Sequence, residues 1–211
     1  MASTRRLSKL FVDFVSETDK LLLAFECPNP KVKQTNVHWP EVTLNVAEGC
    51  AIRLYDSWNR FCRELILQSA SELPTTAAGV IVPQAPTISR RADVLPTLLS
   101  KLKRKPSYGE PRWADASECL TAAKLLSLSN YSTVSAAIGA TPSPAEDIRK
   151  TRNFIAHRNV KTGIELRAVI SSYGVGTIHV EQLLRHTVHS GITVLGKWVE
   201  ELRLLAEAAV Q

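Results

Sequence analysis

The chain has 211 residues, enough for one sizeable core, and its hydrophobic (45%) and charged (22%) fractions are ordinary for a globular protein. No apolar run approaches the roughly 18–20 residues that span a bilayer, and Lys9, Asp13, Glu17 and Asp19 interrupt any secretory apolar stretch near the N-terminus. A net charge of +6 and a pI near 9.3 favour a polyanionic partner.

The first predicted helix carries Leu7, Phe11, Phe14, Leu21 and Phe25 at alternating steps of four and three, with Thr18 filling the gap, until Pro28 and Pro30 end it. A second, longer helix repeats the rhythm through Ala47, Ala51, Leu54, Trp58, Phe61 and Leu65 and stops before Pro74. Six of the eleven prolines then fall between Pro74 and Pro111, which excludes a long uninterrupted helix and defines an irregular insertion across 74–118. Within and just after it, Ala78–Val82 reads as a short strand or extended apolar loop. Leu95–Lys105, Ala114–Leu128 and Tyr131–Ile138 read as short helices.

Ser143-Pro144-Ala145-Glu146 has the spacing of a capping box, with proline at the first helical position and Glu146 and Asp147 near the positive end of the dipole. Gly163 is a plausible stop for this helix, although the chain around His157-Arg158-Asn159 can end it earlier. Leu184, Val188, Gly191, Leu195, Trp198, Leu202, Leu205 and Ala209 continue one stripe along a C-terminal helix. The expected architecture is therefore all-α: a single domain over 1–211, a bundle of about four to five main helices with the proline-rich insertion between the second helix and the Ser143-capped one.

Cys27, Cys50, Cys62 and Cys119 lie far apart with no Cys-x-x-Cys pair, and Cys50 and Cys62 fall inside an apolar helical pattern. The expectation is reduced thiols acting as small hydrophobes, no zinc site or disulfide framework, and a cytoplasmic setting. Positive charge gathers twice: at Arg90, Arg91, Lys101, Lys103, Arg104 and Lys105, and again at Arg149, Lys150, Arg152, Arg158 and Lys161. The first cluster reads equally as a solvated helix face. The second surrounds the one chemically distinctive string in the chain, Arg152-Asn153-Phe154-Ile155-Ala156-His157.

At about 100° per residue, Ile148, Thr151, Phe154 and Ile155 share the core arc of that helix and Arg152 sits at its border. Asn153 and His157, four apart, share a flank with Arg149 lying between them and Arg152. An arginine at the edge of a core face is costly unless it is paired or faces a cleft. A cation for a phosphate, an amide for a ribose and an imidazole for a proton are suitable parts for cutting RNA without a metal. The structural alternative is that Arg152 snorkels, Asn153 faces solvent and His157 merely ends the helix.

The hexapeptide resembles the signature of the HEPN superfamily, helical-bundle proteins of which many are metal-independent endoribonucleases of defence, toxin–antitoxin and RNA-processing systems. That signature is an arginine, a polar residue and, after a short gap, a histidine, matched here by Arg152, Asn153 and His157. The long helix around Tyr55–Leu65 is similar to that of the subgroup associated with RiboL-PSP modules. The insertion has no counterpart there. The resemblance implies that His157 acts as base or acid at the ribose 2′-hydroxyl, Arg152 stabilises the charged phosphorane and Asn153 positions the ribose or the histidine. It further implies a 2′,3′-cyclic phosphate product, no metal or other cofactor, and a homodimer whose two motif helices share a composite cleft. Arg149, Lys150, Arg158 and Lys161 would hold the RNA backbone. A partner protein such as an antitoxin, or a larger defence complex, fits the same picture.

Three other readings stay open. His179, His186 and His189 lie along one side of the predicted C-terminal helix, with Glu181 the nearest carboxylate, and could take a metal or join a dimer seam. Thr133–Gly139 followed by the Ser143-capped helix resembles a helix-turn-helix, with Arg149, Lys150, Arg152 and Asn153 on DNA. Ser135 stands where that motif has alanine, and Pro142 and Pro144 crowd its turn. The third is a catalytically silent HEPN-like module that serves assembly or RNA binding.

Overall fold

A computed structural model describes residues 7–26, 41–71, 88–103, 109–176, 179–188 and 191–211. Among these the secondary structure is helical: α1 (Leu7–Glu26), α2 (Glu41–Ser69), α3 (Arg91–Lys101), α4 (Ala116–Leu125), α5 (Tyr131–Ile138), α6 (Pro144–His157), α7 (Val160–Ser172), α8 (Val180–Arg185) and α9 (Val194–Val210). The all-α expectation holds at that level. No helix of the described residues is long and apolar enough to cross a membrane. Ala78–Val82, Cys27 and most of the proline-rich stretch lie outside the described residues. The part of the insertion that is described carries α3, with Pro96 inside it, and the start of α4.

The chain divides into two compact units, one of 1–15, 58–143 and 202–211, the other of 16–57 and 144–201. In the first unit Phe14, Trp58 and Phe61 form an aromatic cluster with ring centroids 5.4–5.8 Å apart. Each ring is almost wholly buried, as the apolar stripes of α1 and α2 require. Arg63 of α2 forks onto Glu110, which also accepts the Trp113 indole N–H at 2.8 Å. Arg91 of α3 pairs with Glu64. Asp115 caps α4 by accepting from the backbone N–H of Ser117 (3.0 Å) and Glu118 (3.3 Å). Cys62 and Cys119 are free buried thiols in contact, and burial pushes the Cys62 thiol well up. Their separation in sequence hides that meeting.

In the second unit α6 and α7 pack together as a helical hairpin. Arg158 turns the chain with a left-handed backbone (φ 36°), its N–H donating to Phe154 O at 2.8 Å. Asn159 then restarts the helix at once through a reciprocal capping box with Thr162. The motif helix therefore ends at His157, and Gly163 lies inside α7. An arginine at positive φ costs about 1–2 kcal/mol, and here the same residue gains an ion pair in which Nη2 donates to both carboxylate oxygens of Glu48 of α2.

The continuous C-terminal helix is corrected. After α8, the Val188 N–H donates to Ile192 O, Thr187 and Thr193 form an isolated antiparallel bridge, and Gly191 takes φ 78°. Thr193 then accepts the Gly196 N–H at 3.1 Å to open α9. The β-branched residues around a glycine favour a tight turn over the helix that the apolar spacing alone suggests. Consequently His179 and His186 flank the six-residue α8 as its end residues and share no face of a long helix, while His189 lies outside the described residues.

The aromatic cluster predicts a large single-site effect. Phe14→Ala, which leaves a cavity against both Trp58 and Phe61, is expected to cost about 3–5 kcal/mol in urea denaturation. A loss well under 1 kcal/mol would show that the cluster is not a principal part of this core.

Candidate functional site

Three local features bring the hexapeptide to the surface of the second unit. Ile148 and Thr151 are buried, which fixes one side of α6 inward. Phe154 and Ile155 are only half-buried, so the core arc loosens toward the C-terminus. The early stop at Arg158 then leaves His157 exposed in the last turn.

Arg152 is half-buried, as its border position predicts. Its guanidinium carbon lies 5.7 Å from the ring centroid of Tyr55 on α2, and Nη1 donates a long hydrogen bond (3.4 Å) to Asn153 Oδ1. Among the described residues Arg152 has no carboxylate partner. A half-buried cation there is stabilised by the ring quadrupole and an amide oxygen, which leaves its positive charge unneutralised. The His157 imidazole makes no hydrogen bond or ion pair with any described residue, so Arg152 and Asn153 are joined directly and His157 is not joined to them.

The four flanking cations are not alike. Arg149 forks onto Glu146 (2.8 and 2.6 Å), and Lys150 lies 3.6 Å from the same carboxylate. That fork holds the Glu146 carboxyl below its ordinary range. Arg158 is held by both oxygens of Glu48, at 2.7 and 2.8 Å. Lys161 is exposed and makes no ion pair with a described residue. Three of the five cations of this cluster are thus engaged by two acids, one on the helix itself and one on α2, and among the described residues Arg152 and Lys161 are left without an ion pair. In the other cluster Arg91 is tied to Glu64 and Lys101 donates to Leu125 O at 2.7 Å, while Arg104 and Lys105 lie outside the described residues.

The contacts with α2 also set its direction. Glu48 meets Arg158 beyond the end of α6, and Tyr55, two turns further along α2, meets Arg152 earlier in α6. Within this unit α2 therefore runs antiparallel to the motif helix. On the far side, Trp198 of α9 donates to the Tyr173 hydroxyl (2.8 Å), which donates to Asp147 Oδ2 at 3.3 Å. Lys197 lies 5.4 Å from the centroid of the Tyr173 ring. Burial raises the Asp147 carboxyl above its ordinary range and lifts the Tyr173 phenol to about 12.

Tyr55 and Glu48 were not visible as site residues in the sequence. Each is an ordinary member of an amphipathic helix, and only the antiparallel pairing of α2 and α6 brings them to the motif. Among the described residues no group of three or more His, Cys, Asp and Glu is placed to hold a metal ion. No family model, curated protein or solved structure matches the chain.

Asp147 carries a pH prediction. An acid whose folded pKa stands above its unfolded value stabilises the fold while protonated; that contribution is complete below the unfolded value and fades as pH rises through the folded one. Asp147→Asn has no proton to lose, so it is expected to gain stability relative to the natural protein on going from acid to neutral pH. Denaturant titrations at both ends measure the difference, and a difference independent of pH contradicts the assignment.

Proposed function

We propose that this protein is a metal-independent endoribonuclease of the HEPN type. The observation that carries the reading is Arg152: a half-buried arginine without a carboxylate partner among the described residues, bonded to Asn153 and five residues before an exposed histidine. Its neighbours Arg149, Lys150 and Arg158 are already engaged by Glu146 and Glu48, so an entering phosphate meets at Arg152 a cation with no ion pair among the described residues.

The chemistry follows from those groups. A ribose 2′-oxygen attacks the adjacent phosphorus, the bond to the 5′-oxygen breaks, and the products are a 2′,3′-cyclic phosphate and a 5′-hydroxyl. Arg152 opposes the charge that builds on the equatorial oxygens, the effect that usually contributes most in such sites. Asn153 orients the ribose. His157 moves one proton, either from the 2′-hydroxyl or to the leaving 5′-oxygen.

One imidazole cannot serve both ends of the bond in one step, so the reading includes a homodimer with two motif helices on one cleft. The exposed Val160 and Ile164, one turn apart on α7 beside the motif helix, supply apolar surface suited to a second copy. Free buried thiols agree with a reducing, cytoplasmic setting. A toxin–antitoxin or antiviral role, with an antitoxin or defence complex as protein partner, belongs to the same proposal. The helix-turn-helix alternative draws on α5 and α6, which belong to different compact units.

The test is direct. Purified protein is expected to cleave RNA in EDTA, leaving cyclic phosphate ends. His157→Ala is expected to lower the rate at least about 100-fold with an unchanged melting temperature. Cleavage that requires a divalent metal, or full activity of His157→Ala, overturns the mechanism. Cleavage by a strictly monomeric protein removes the composite cleft.

A further inference from the structure

We infer that Tyr55 of α2, together with Arg152, forms a stacking subsite for one unpaired nucleobase beside the reacting phosphate. The inference rests on the ribonuclease reading and extends it to a residue outside the hexapeptide.

Three observations lead there. First, Tyr55 is half-exposed on a helix whose other aromatic residues, Trp58 and Phe61, are buried. Second, the guanidinium of Arg152 lies over its ring, and Tyr55 is within electrostatic reach of Arg149. It therefore lies near both arginines of this flank of α6. Third, the carboxylates Glu146 and Glu48 engage three of the five surrounding cations, Arg149, Lys150 and Arg158.

The third observation decides what kind of RNA element fits. A duplex is gripped mainly through phosphates and 2′-hydroxyls along a broad face, which calls for several unpaired cations in a row. Around this motif the described residues leave Arg152 and Lys161. A short set of one cation, one amide and one aromatic face suits a single nucleotide with its base turned out. Aromatic rings and arginine planes are the surfaces on which unpaired bases stack, and together they make a platform that tolerates any base. With the base on that platform, its ribose and phosphate fall to Asn153 and Arg152, the groups the chemistry assigns to them.

Tyr55 also has a structural part, since it supports Arg152. Three variants separate the roles. Tyr55→Phe keeps the ring and loses the hydroxyl; Tyr55→Trp enlarges the ring; Tyr55→Leu keeps bulk and removes the π-face. Binding is measured by fluorescence anisotropy with a 2′-O-methyl oligonucleotide, which cannot be cut by 2′-oxygen attack, as a single strand, as a duplex and with abasic positions throughout.

The natural protein is expected to bind the single strand at least tenfold more tightly than the duplex or the abasic strand. Tyr55→Leu is expected to lose about tenfold, in line with removing one base–aromatic stack. Tyr55→Phe and Tyr55→Trp are expected to keep the affinity. A merely structural role would weaken the abasic strand in Tyr55→Leu as much as the full one, and that result overturns the inference. So does equal binding of duplex and single strand, or an unchanged affinity in Tyr55→Leu. Because the probe is uncleavable, the two proposals fail separately. Tyr55-dependent binding by a protein that never cuts RNA sinks only the ribonuclease mechanism, while cleavage with Tyr55-independent binding sinks only the subsite.

Discussion

A guanidinium that is half out of water and has no acid beside it among the described residues needs some other source of stabilisation. In this chain the source is the face of Tyr55, with the Asn153 amide oxygen as a minor contribution. The arrangement constrains the rest of the second unit. α2 runs antiparallel to α6 so that Tyr55 reaches Arg152, and the same register brings Glu48 to Arg158 at the turn into α7. On the opposite flank the Asp147–Tyr173–Trp198 chain ties the first turn of α6 to the end of α7 and to α9. The motif helix is thereby held at both ends, while its last turn, with His157, remains open to solvent.

The charges give this frame its meaning. A raw count of basic residues around the hexapeptide suggests a broad electropositive groove. Pairing changes that picture: Glu146 answers Arg149 and Lys150, and Glu48 answers Arg158. Exposed pairs of this kind contribute little to stability, but they determine which positive charges a polyanion meets unneutralised. Among the described residues Arg152 and Lys161 are left without an ion pair, and of the two Arg152 is the one joined to Asn153.

Much of the helical frame was legible because it obeys a simple period. The stripes Phe14–Thr18–Leu21–Phe25 and Ala47–Ala51–Leu54–Trp58–Phe61–Leu65 are buried as written, and α6 starts at Pro144 as its sequence signals. The border position of Arg152 was equally readable from the wheel. Local conformational choices were harder. Arg158 performs the turn that Gly163 suggests, because Asn159 and Thr162 restart a helix immediately. The C-terminal stripe breaks at the Thr187–Thr193 turn, since hydrophobic spacing does not register a glycine at positive φ among β-branched residues. Tyr55 and Glu48 were hidden for a different reason: their roles exist only across two helices remote in sequence, where no local pattern speaks.

The central claim is that Arg152 is the cation available to a phosphate. The salt dependence of binding an uncleavable single-stranded RNA tests it most directly, comparing the natural protein with Arg152→Gln. Losing one phosphate contact should make the slope of log K against log salt shallower by about 0.7. Parallel lines for the two proteins would mean that no phosphate rests on Arg152, and the account of the site would fail.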